Sequence, residues 1–167
     1  GTISGLVDHL VGRDTILAVL PLGTANSFAR TLGLPLDIAG AMDVAANGVP
    51  RRIDLGRIDD DHFANCAAIG VSPRIAESVP PVAKKLGGRA GYLAWATWQF
   101  LRFRPFRLIV EQDGEIHRMK STEVRIANGR FHGGAEVIPE ADVASGTIVV
   151  QAVKGPFKRR LVRNWVT

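Results

Sequence analysis

Cysteine is nearly absent from this sequence: Cys66 stands alone. No disulfide framework can therefore form within one chain, which fits a reducing cytoplasm. The residue lies in the apolar run Phe63-Ala64-Asn65-Cys66-Ala67-Ala68-Ile69, where a small buried hydrophobe is the ordinary reading and a catalytic nucleophile the minor one. Long hydrophobic runs are missing too. No stretch approaches the ~18 apolar residues a bilayer span requires, and the start lacks the charged-then-apolar order of a secretory leader, so the expected protein is soluble or at most peripheral. His9, His62, His117 and His132 show no paired metal-ligand spacing and read as surface or hydrogen-bonded residues. Internal repeats, low-complexity tracts and a methionine ahead of Gly1-Thr2 are likewise absent.

What remains is the material of a globular fold. Of 167 residues, 46% are hydrophobic, enough to bury a sizeable core. The balance of 21 basic to 16 acidic residues gives a formal charge of +5. Such a charge favours nucleotides, phospholipid headgroups or nucleic acid without choosing among them.

The apolar spacing of Ile3, Leu6, Val7, Leu10 and Val11 predicts a helix stopped by Gly12. The continuous run Thr15 to Leu20, closed by Pro21, predicts a strand buried on both faces. A second helix is expected to open within Gly23-Thr24-Ala25-Asn26-Ser27, with Thr24 or Asn26 as N-cap, and a third spans Asp37 to Ala46. From residue 51 strand patterns dominate: Arg52 to Ile58, His62 to Val71, Arg107 to Gln112, Ile116 to Lys120, Thr122 to Ala127 and Thr147 to Val153. Asp113-Gly114 marks a hairpin. Helices are expected at about 72–86 and 89–103. The predicted organisation is an α/β part over residues 1–49 and a mostly β domain with helical insertions over 50–167.

The turn Leu20 to Arg30 carries the most chemistry. A buried strand ending at Gly23, followed by small and hydroxyl or amide residues at a helix start, is a phosphate-binding pattern, and it falls where α/β sheets gather ligands. Simple capping by Thr24 and Asn26 is the competing structural reading.

Pro21-Leu22-Gly23-Thr24-Ala25-Asn26-Ser27-Phe28-Ala29-Arg30 resembles the PLGTANDFAR-type signature of the diacylglycerol kinase catalytic-domain superfamily, which includes bacterial lipid kinases and, more loosely, sphingosine and ceramide kinases. Three further segments agree in order. Arg52-Ile53-Asp54-Leu55-Gly56 with Phe63 to Val71 is similar to the family's IDLG and FxNxxxxG strands. Lys85-Leu86-Gly87 through Tyr92-Leu93 is similar to its K-LG-xxY helices, and Asn128-Gly129-Arg130-Phe131-His132-Gly133-Gly134 to Ala141 resembles its NG-xxxGGG and P-x-A turn.

The resemblance implies a remnant of an α/β nucleotide-binding domain followed by a mostly antiparallel β-sandwich domain, in an NAD kinase-like plan. It also implies ATP and Mg²⁺ as cofactors, with Gly1, Thr2, Gly23, Thr24 and Asn26 around the nucleotide phosphates. Gly1-Thr2 would stand at the end of the family's GGDGT loop, so the chain is expected to be cut at both ends, with the catalytic carboxylates outside it and the isolated chain inactive. Asp113-Gly114-Glu115 superficially matches the family's C-terminal acidic sequence but reads as a hairpin turn. Where some bacterial members hold a structural magnesium, this sequence keeps Glu140 and Asp142 but has Ser145 and Val149 in place of carboxylates, so a solvated turn is expected. Ser27 replaces a common aspartate of the signature.

The implied partners are a lipid substrate, a membrane surface met peripherally from the cytoplasm, no nucleic acid, and a second copy of the chain. Ile16, Leu17 and Val19 have few expected neighbours, which points to association through that surface or disorder near the N-terminus. The run Phe100 to Arg107 could anchor at an anionic bilayer, but a helix end with aromatics inside and arginines in water is the favoured reading, and the basic cluster Lys154 to Arg163 could touch phospholipid or nucleic acid, with a solvated helix face favoured. A non-catalytic binding module is the alternative from another class. An NAD kinase-like protein is a third, and the Pro21 to Asn26 turn argues against it.

Overall fold

The computed structural model describes residues 2–78 and 88–154. Gly1, Lys85-Leu86-Gly87, the predicted helix beyond Ser78 and the basic cluster after Lys154 lie outside the described residues.

The N-terminal part is helical: α1 (Ser4–Leu10), α2 (Ser27–Thr31) and α3 (Ile38–Asn47). Strands follow: β1 (Gly56–Ile58), β2 (Asp61–Phe63) and β3 (Cys66–Gly70). Two helices, α4 (Val71–Ser78) and α5 (Gly88–Arg102), interrupt the strands, and then come β4 (Phe106–Gln112), β5 (Glu115–Ala127), β6 (Phe131–His132), β7 (Ala135–Glu136) and β8 (Val149–Lys154). The architecture is thus an α/β N-terminal part followed by antiparallel sheets with helical insertions.

Local chemistry explains several boundaries. α3 starts where the Asp37 carboxylate accepts the Gly40 N–H at 2.8 Å, satisfying one of the orphan donors of the first turn. β4 and β5 are joined by the predicted two-residue turn. Asp113 and Gly114 both have positive φ, 52° and 81°, as a type I′ hairpin requires, and Gln112 faces Glu115 across it. β5 is one strand of 13 residues where the sequence pattern predicts two. Its first half pairs with β4 and it also pairs with β3 and β8.

Thr15 to Leu20 is a correction. No strand is assigned there, and Ile16 is 72% exposed. A continuous apolar run becomes a buried strand only when partners cover both its edges and faces, and no described strand pairs with it. Val19 alone of the run packs, against the cluster of Val7, Phe28 and Ala64. α1 is similarly narrower than its spacing predicts: Val7 is buried, while Leu6 and Val11 remain exposed.

Two compact units emerge. The first takes residues from the start to Ala67 and from Ile126 to Val150, and the second runs from Ala68 to Arg125 and from Gln151 onward. In the first unit α1 lies on β2 and α2 on β6, around the Val7 cluster and a second cluster of Ala127, Ile138 and Ala141. In the second, α4 and α5 pack together, with Trp95, Phe100 and Phe103 against Val71, Ile75 and Val153. Cys66 is half-buried beside Ala127, Ile138 and Ala141, as expected of a small hydrophobe.

The second unit also buries charge. Glu123 and Arg125, two residues apart on β5, are 0% and 4% exposed. They form a two-pronged ion pair, with Arg125 Nη2 2.7 Å and Nε 2.9 Å from Glu123 Oε1. The Ser72 hydroxyl donates to Glu123 Oε2, and Arg125 Nη1 donates to Gln151 Oε1 at 3.1 Å.

The exposed pair Asp8–His62 ties α1 to β2: both the His62 backbone N–H and ring Nδ1 lie 2.8 Å from Asp8 Oδ1. The ring contact, then the backbone N–H, hold the Asp8 carboxyl below its ordinary range. A carboxyl lowered in the folded state adds stability above its unfolded value and loses it as pH falls through the folded one. Asp8→Asn is therefore expected to destabilise the chain near neutrality and to match the parent once the pH has dropped well below about 4. Urea unfolding of both proteins over that acid range checks it, and a difference that does not shrink on acidification would contradict the pairing.

Candidate functional site

The segment Pro21 to Ser27 forms a loop ahead of α2, and its own side chains brace it. Asn26 sits in the left-handed region at φ 50°, a conformation asparagine tolerates better than most residues. Its Oδ1 accepts the Gly23 N–H at 2.8 Å, and its Nδ2 donates to the Pro21 carbonyl at 3.0 Å. Of the two expected N-cap residues, Asn26 holds that position, since α2 begins at Ser27, but its side chain makes no cap bond. The carboxamide is spent closing the turn across Gly23-Thr24-Ala25. Arg30 Nε adds a bond back to the Ala25 carbonyl at 3.2 Å.

A second turn stands beside the first. β6 and β7 form a short hairpin whose tip is Gly133-Gly134, both at positive φ, 62° and 88°. The Gly134 N–H donates to Ser27 Oγ at 3.0 Å. A Cβ on Gly134 would lie 3.3 Å from the Ala25 carbonyl oxygen, so glycine permits both the backbone conformation and the close approach. Ser27, which the sequence comparison marks as a lost charge, here gains a definite task as the link between the two loops.

Behind these loops lies a carboxamide frame. Thr31 Oγ1 donates to Asn65 Oδ1 at 2.8 Å, and Asn65 Nδ2 donates to the Phe131 carbonyl at 2.8 Å. The N–H groups of Asn128 and Gly129 both donate to the Asn65 carbonyl, at 2.9 and 2.7 Å. Asn128, 1% exposed, donates through Nδ2 to the carbonyls of Asp54 and Ala64 at 2.7 and 2.8 Å. Sequence reasoning singled out Asn65 and Asn128 only as motif letters. The signal that could have found their role was the pairing of a lone asparagine with apolar strand residues, since a buried carboxamide must find partners.

Of the sequence-predicted site residues, Gly23 and Thr24 are exposed and Asn26 half-buried on this loop, Thr2 is exposed just ahead of α1, and Gly1 lies outside the described residues. The acidic turn after Pro139 is a solvated turn: Asp142 accepts the Ala144 N–H at 2.9 Å and lies 3.7 Å from Arg130. Asp54 Oδ2 accepts the Gly146 N–H at 2.7 Å. Asp113-Gly114-Glu115 is a hairpin tip, as expected. Among the described residues, no group of three or more His, Cys, Asp or Glu could hold a metal ion. No described helix is long and apolar enough to cross a membrane.

Comparisons with known proteins point one way. The family described as the diacylglycerol kinase catalytic domain matches residues 1–58, and the YegS C-terminal NAD kinase beta sandwich-like domain matches residues 65–166. A probable YegS-like lipid kinase of Pseudomonas putida is 34% identical over 88% of this chain and 50% of its own length. A diacylglycerol kinase of Bacillus subtilis is 31% identical over 92% of this chain and 52% of its own. The crystal structure of a diacylglycerol kinase from Bacillus anthracis shares the fold, with a TM-score of 0.73 and 23% identity, covering 100% of this chain and 55% of that one. This chain spans about half the length of the curated relatives it matches. With one family match ending in β1 and the next running from Asn65 into the sequence beyond β8, the chain belongs to the family of diacylglycerol kinases and YegS-like lipid kinases.

Proposed function

We propose that this chain serves an ATP-dependent lipid kinase that transfers the γ-phosphoryl group to the hydroxyl of diacylglycerol or a related lipid. The observation that carries the reading is the braced Pro21–Ser27 loop inside the region that matches the diacylglycerol kinase catalytic domain. Phosphoryl transfer depends on positioning and on spreading charge over the phosphate oxygens. A loop fixed by its own carboxamide, with exposed backbone at Gly23 and Thr24, suits phosphate binding because it loses little further freedom when the nucleotide arrives. Gly1, Thr2, Gly23, Thr24 and Asn26 are the proposed nucleotide-binding residues.

In the reaction the lipid hydroxyl oxygen bonds to the γ-phosphorus as the bond from phosphorus to the β–γ bridging oxygen breaks; ADP leaves, and the hydroxyl proton passes to a base. None of the described residues is assigned as that base. Their carboxylates do not cluster for a resident metal, so Mg²⁺ is proposed to enter as part of the MgATP substrate. The proposed setting is the cytoplasmic face of a membrane, met peripherally, without a nucleic-acid partner. Residues 1–49 would act as the nucleotide-binding part and 50–167 as the sheet domain, and exposed Ile16 and Leu22 are the proposed contact with a second copy.

The test is phosphorylation of diacylglycerol in mixed micelles with radiolabelled ATP and Mg²⁺, by the 167-residue chain and by the whole product of its gene. Turnover is expected from the whole product only. In that product Asn26→Ala is expected to raise the KM for ATP by up to roughly thirtyfold, since two hydrogen bonds of about 1 kcal/mol each hold the loop. Absence of turnover from either protein, with nucleotide still bound, would favour a binding module without catalysis.

A further inference from the structure

In the second unit β4 stands at the end of its sheet: β5 covers one of its edges, and no described strand covers the other. The strand has seven residues, without proline or glycine, so nothing in its backbone blocks the addition of a further strand. The hairpin turn decides which groups this edge presents. A two-residue turn makes the residues that flank it, here Gln112 and Glu115, a hydrogen-bonded pair, and the pairs alternate from there along the ladder. Phe106, Leu108, Val110 and Gln112 therefore aim their N–H and C=O groups at β5. Arg107, Ile109 and Glu111 aim theirs outward.

The side chains of these three residues share one face and are exposed, Ile109 by 57%. Across the hairpin they meet no complement. Lys120 stands opposite Arg107, Arg118 opposite Ile109 and Ile116 opposite Glu111, and like charges directly opposite weaken a ladder. Neither Arg107 nor Glu111 forms an ion pair with a described residue.

A second copy of the strand supplies the complement. When two β4 strands lie antiparallel with their Ile109 residues on a twofold axis, Arg107 of each falls opposite Glu111 of the other, and Leu108 falls opposite Val110. The outward-facing residues become the hydrogen-bonded pairs, so this register uses every free donor and acceptor from Arg107 to Glu111. An axis at Leu108 or Val110 instead sets one of the two charges against Ile109 and the other past the end of the strand. Edges guarded against self-pairing carry charges that repel in such a contact; these attract.

We infer that β4 is a self-complementary contact through which two copies of this chain join their sheets across a twofold axis. The inference goes beyond the kinase reading, and it is separate from the contact proposed at Ile16 and Leu22, which belong to the first unit. A single strand pair is a small interface, so the dimer is expected to form in the micromolar range and to exchange readily.

The test is sedimentation equilibrium of the 167-residue chain, without nucleotide or lipid, on the parent and on Ile16→Ser with Leu22→Ser. Both are expected to dimerise. Arg107→Glu and Glu111→Arg, each checked by circular dichroism for an unchanged fold, are expected to weaken self-association by at least about tenfold, because each creates two like-charge pairs across the axis. Mixed with one another, the two single variants are expected to regain the parent's affinity within about threefold, since every pair across the axis is again of opposite charge. The chain that carries both substitutions, with the parent's net charge, should regain it too. A monomer at every concentration overturns the inference. So does a dimer that both charge variants retain, one that Ile16→Ser with Leu22→Ser dissolves, or a loss that neither the mixture nor the double variant restores. Neither substrate takes part, so the outcome is independent of the kinase reading and of its failure.

Discussion

Glu123→Ala is expected to lower the unfolding free energy by about 3–5 kcal/mol, because it leaves the Arg125 guanidinium buried without its counter-charge. The carboxylate is wholly buried, takes both prongs of Arg125 and accepts from Ser72, so no water is positioned to replace it. Arg125→Met should cost a similar amount, for the converse reason. Replacing both together, Glu123→Met with Arg125→Leu, is expected to fall near the parent or above it, since an ion pair in the interior returns little beyond its own desolvation. Urea unfolding followed by tryptophan emission reads all three. A single variant that loses under about 1 kcal/mol would mean that solvent reaches the pair and screens it.

Asn128→Ala should be nearly as damaging, at about 2–4 kcal/mol. Its carboxamide serves the Ala64 carbonyl in a buried place and the Asp54 carbonyl in a half-buried one, and an orphaned buried acceptor costs roughly 1–3 kcal/mol. The loss should also reach the loop. Asn128 and Gly129 hang from the Asn65 carbonyl, and Asn65 holds Thr31 and the Phe131 carbonyl, so the hairpin that carries Gly134 loses its anchor. Asn128→Asp separates the two effects. It keeps the shape but removes the N–H donors, and it should be as destabilising as alanine or more so, because a buried carboxylate facing carbonyls is repelled by them. Thermal unfolding that leaves Asn128→Asp within about 0.5 kcal/mol of the parent would show that the carboxamide is replaceable.

The particular elements show why some of the architecture could be read from the sequence and some could not. The Asp113-Gly114 hairpin and α3 rest on local chemistry, positive φ and a cap, and both stand where predicted. Thr15 to Leu20 depends on neighbours, and an apolar run carries no record of whether those neighbours are present. The sequence reading leaves Ser121 between two strands, Ile116 to Lys120 and Thr122 to Ala127; in the fold that hydroxyl is buried within hydrogen-bond reach of the carbonyls of Glu123 and Val153, so the strand passes through uninterrupted. At the candidate site the motif identified the loop but not its mechanics. The bonds from Asn26 to Gly23 and Pro21 are short-range and could have been foreseen from asparagine's habit of closing turns. The bond between Ser27 and Gly134 spans residues far apart in sequence and belongs to the fold alone.

Asn128-Gly129 is also a sequence prone to spontaneous deamidation, in which the glycine nitrogen attacks the preceding side-chain carbonyl and expels ammonia. The fold withholds both reactants: the carboxamide nitrogen is bonded to two carbonyls, and the Gly129 N–H to a third. Asn47-Gly48, at the end of α3, also has its glycine nitrogen tied, the Gly48 N–H donating to the Val44 carbonyl at 2.9 Å, but its side chain is exposed and bonded to Asp43 rather than held between buried carbonyls. Isoaspartate should therefore accumulate at the second pair in the folded protein and at the first only during excursions from the native state, which makes Asn128 a chemical record of how long each molecule has spent unfolded.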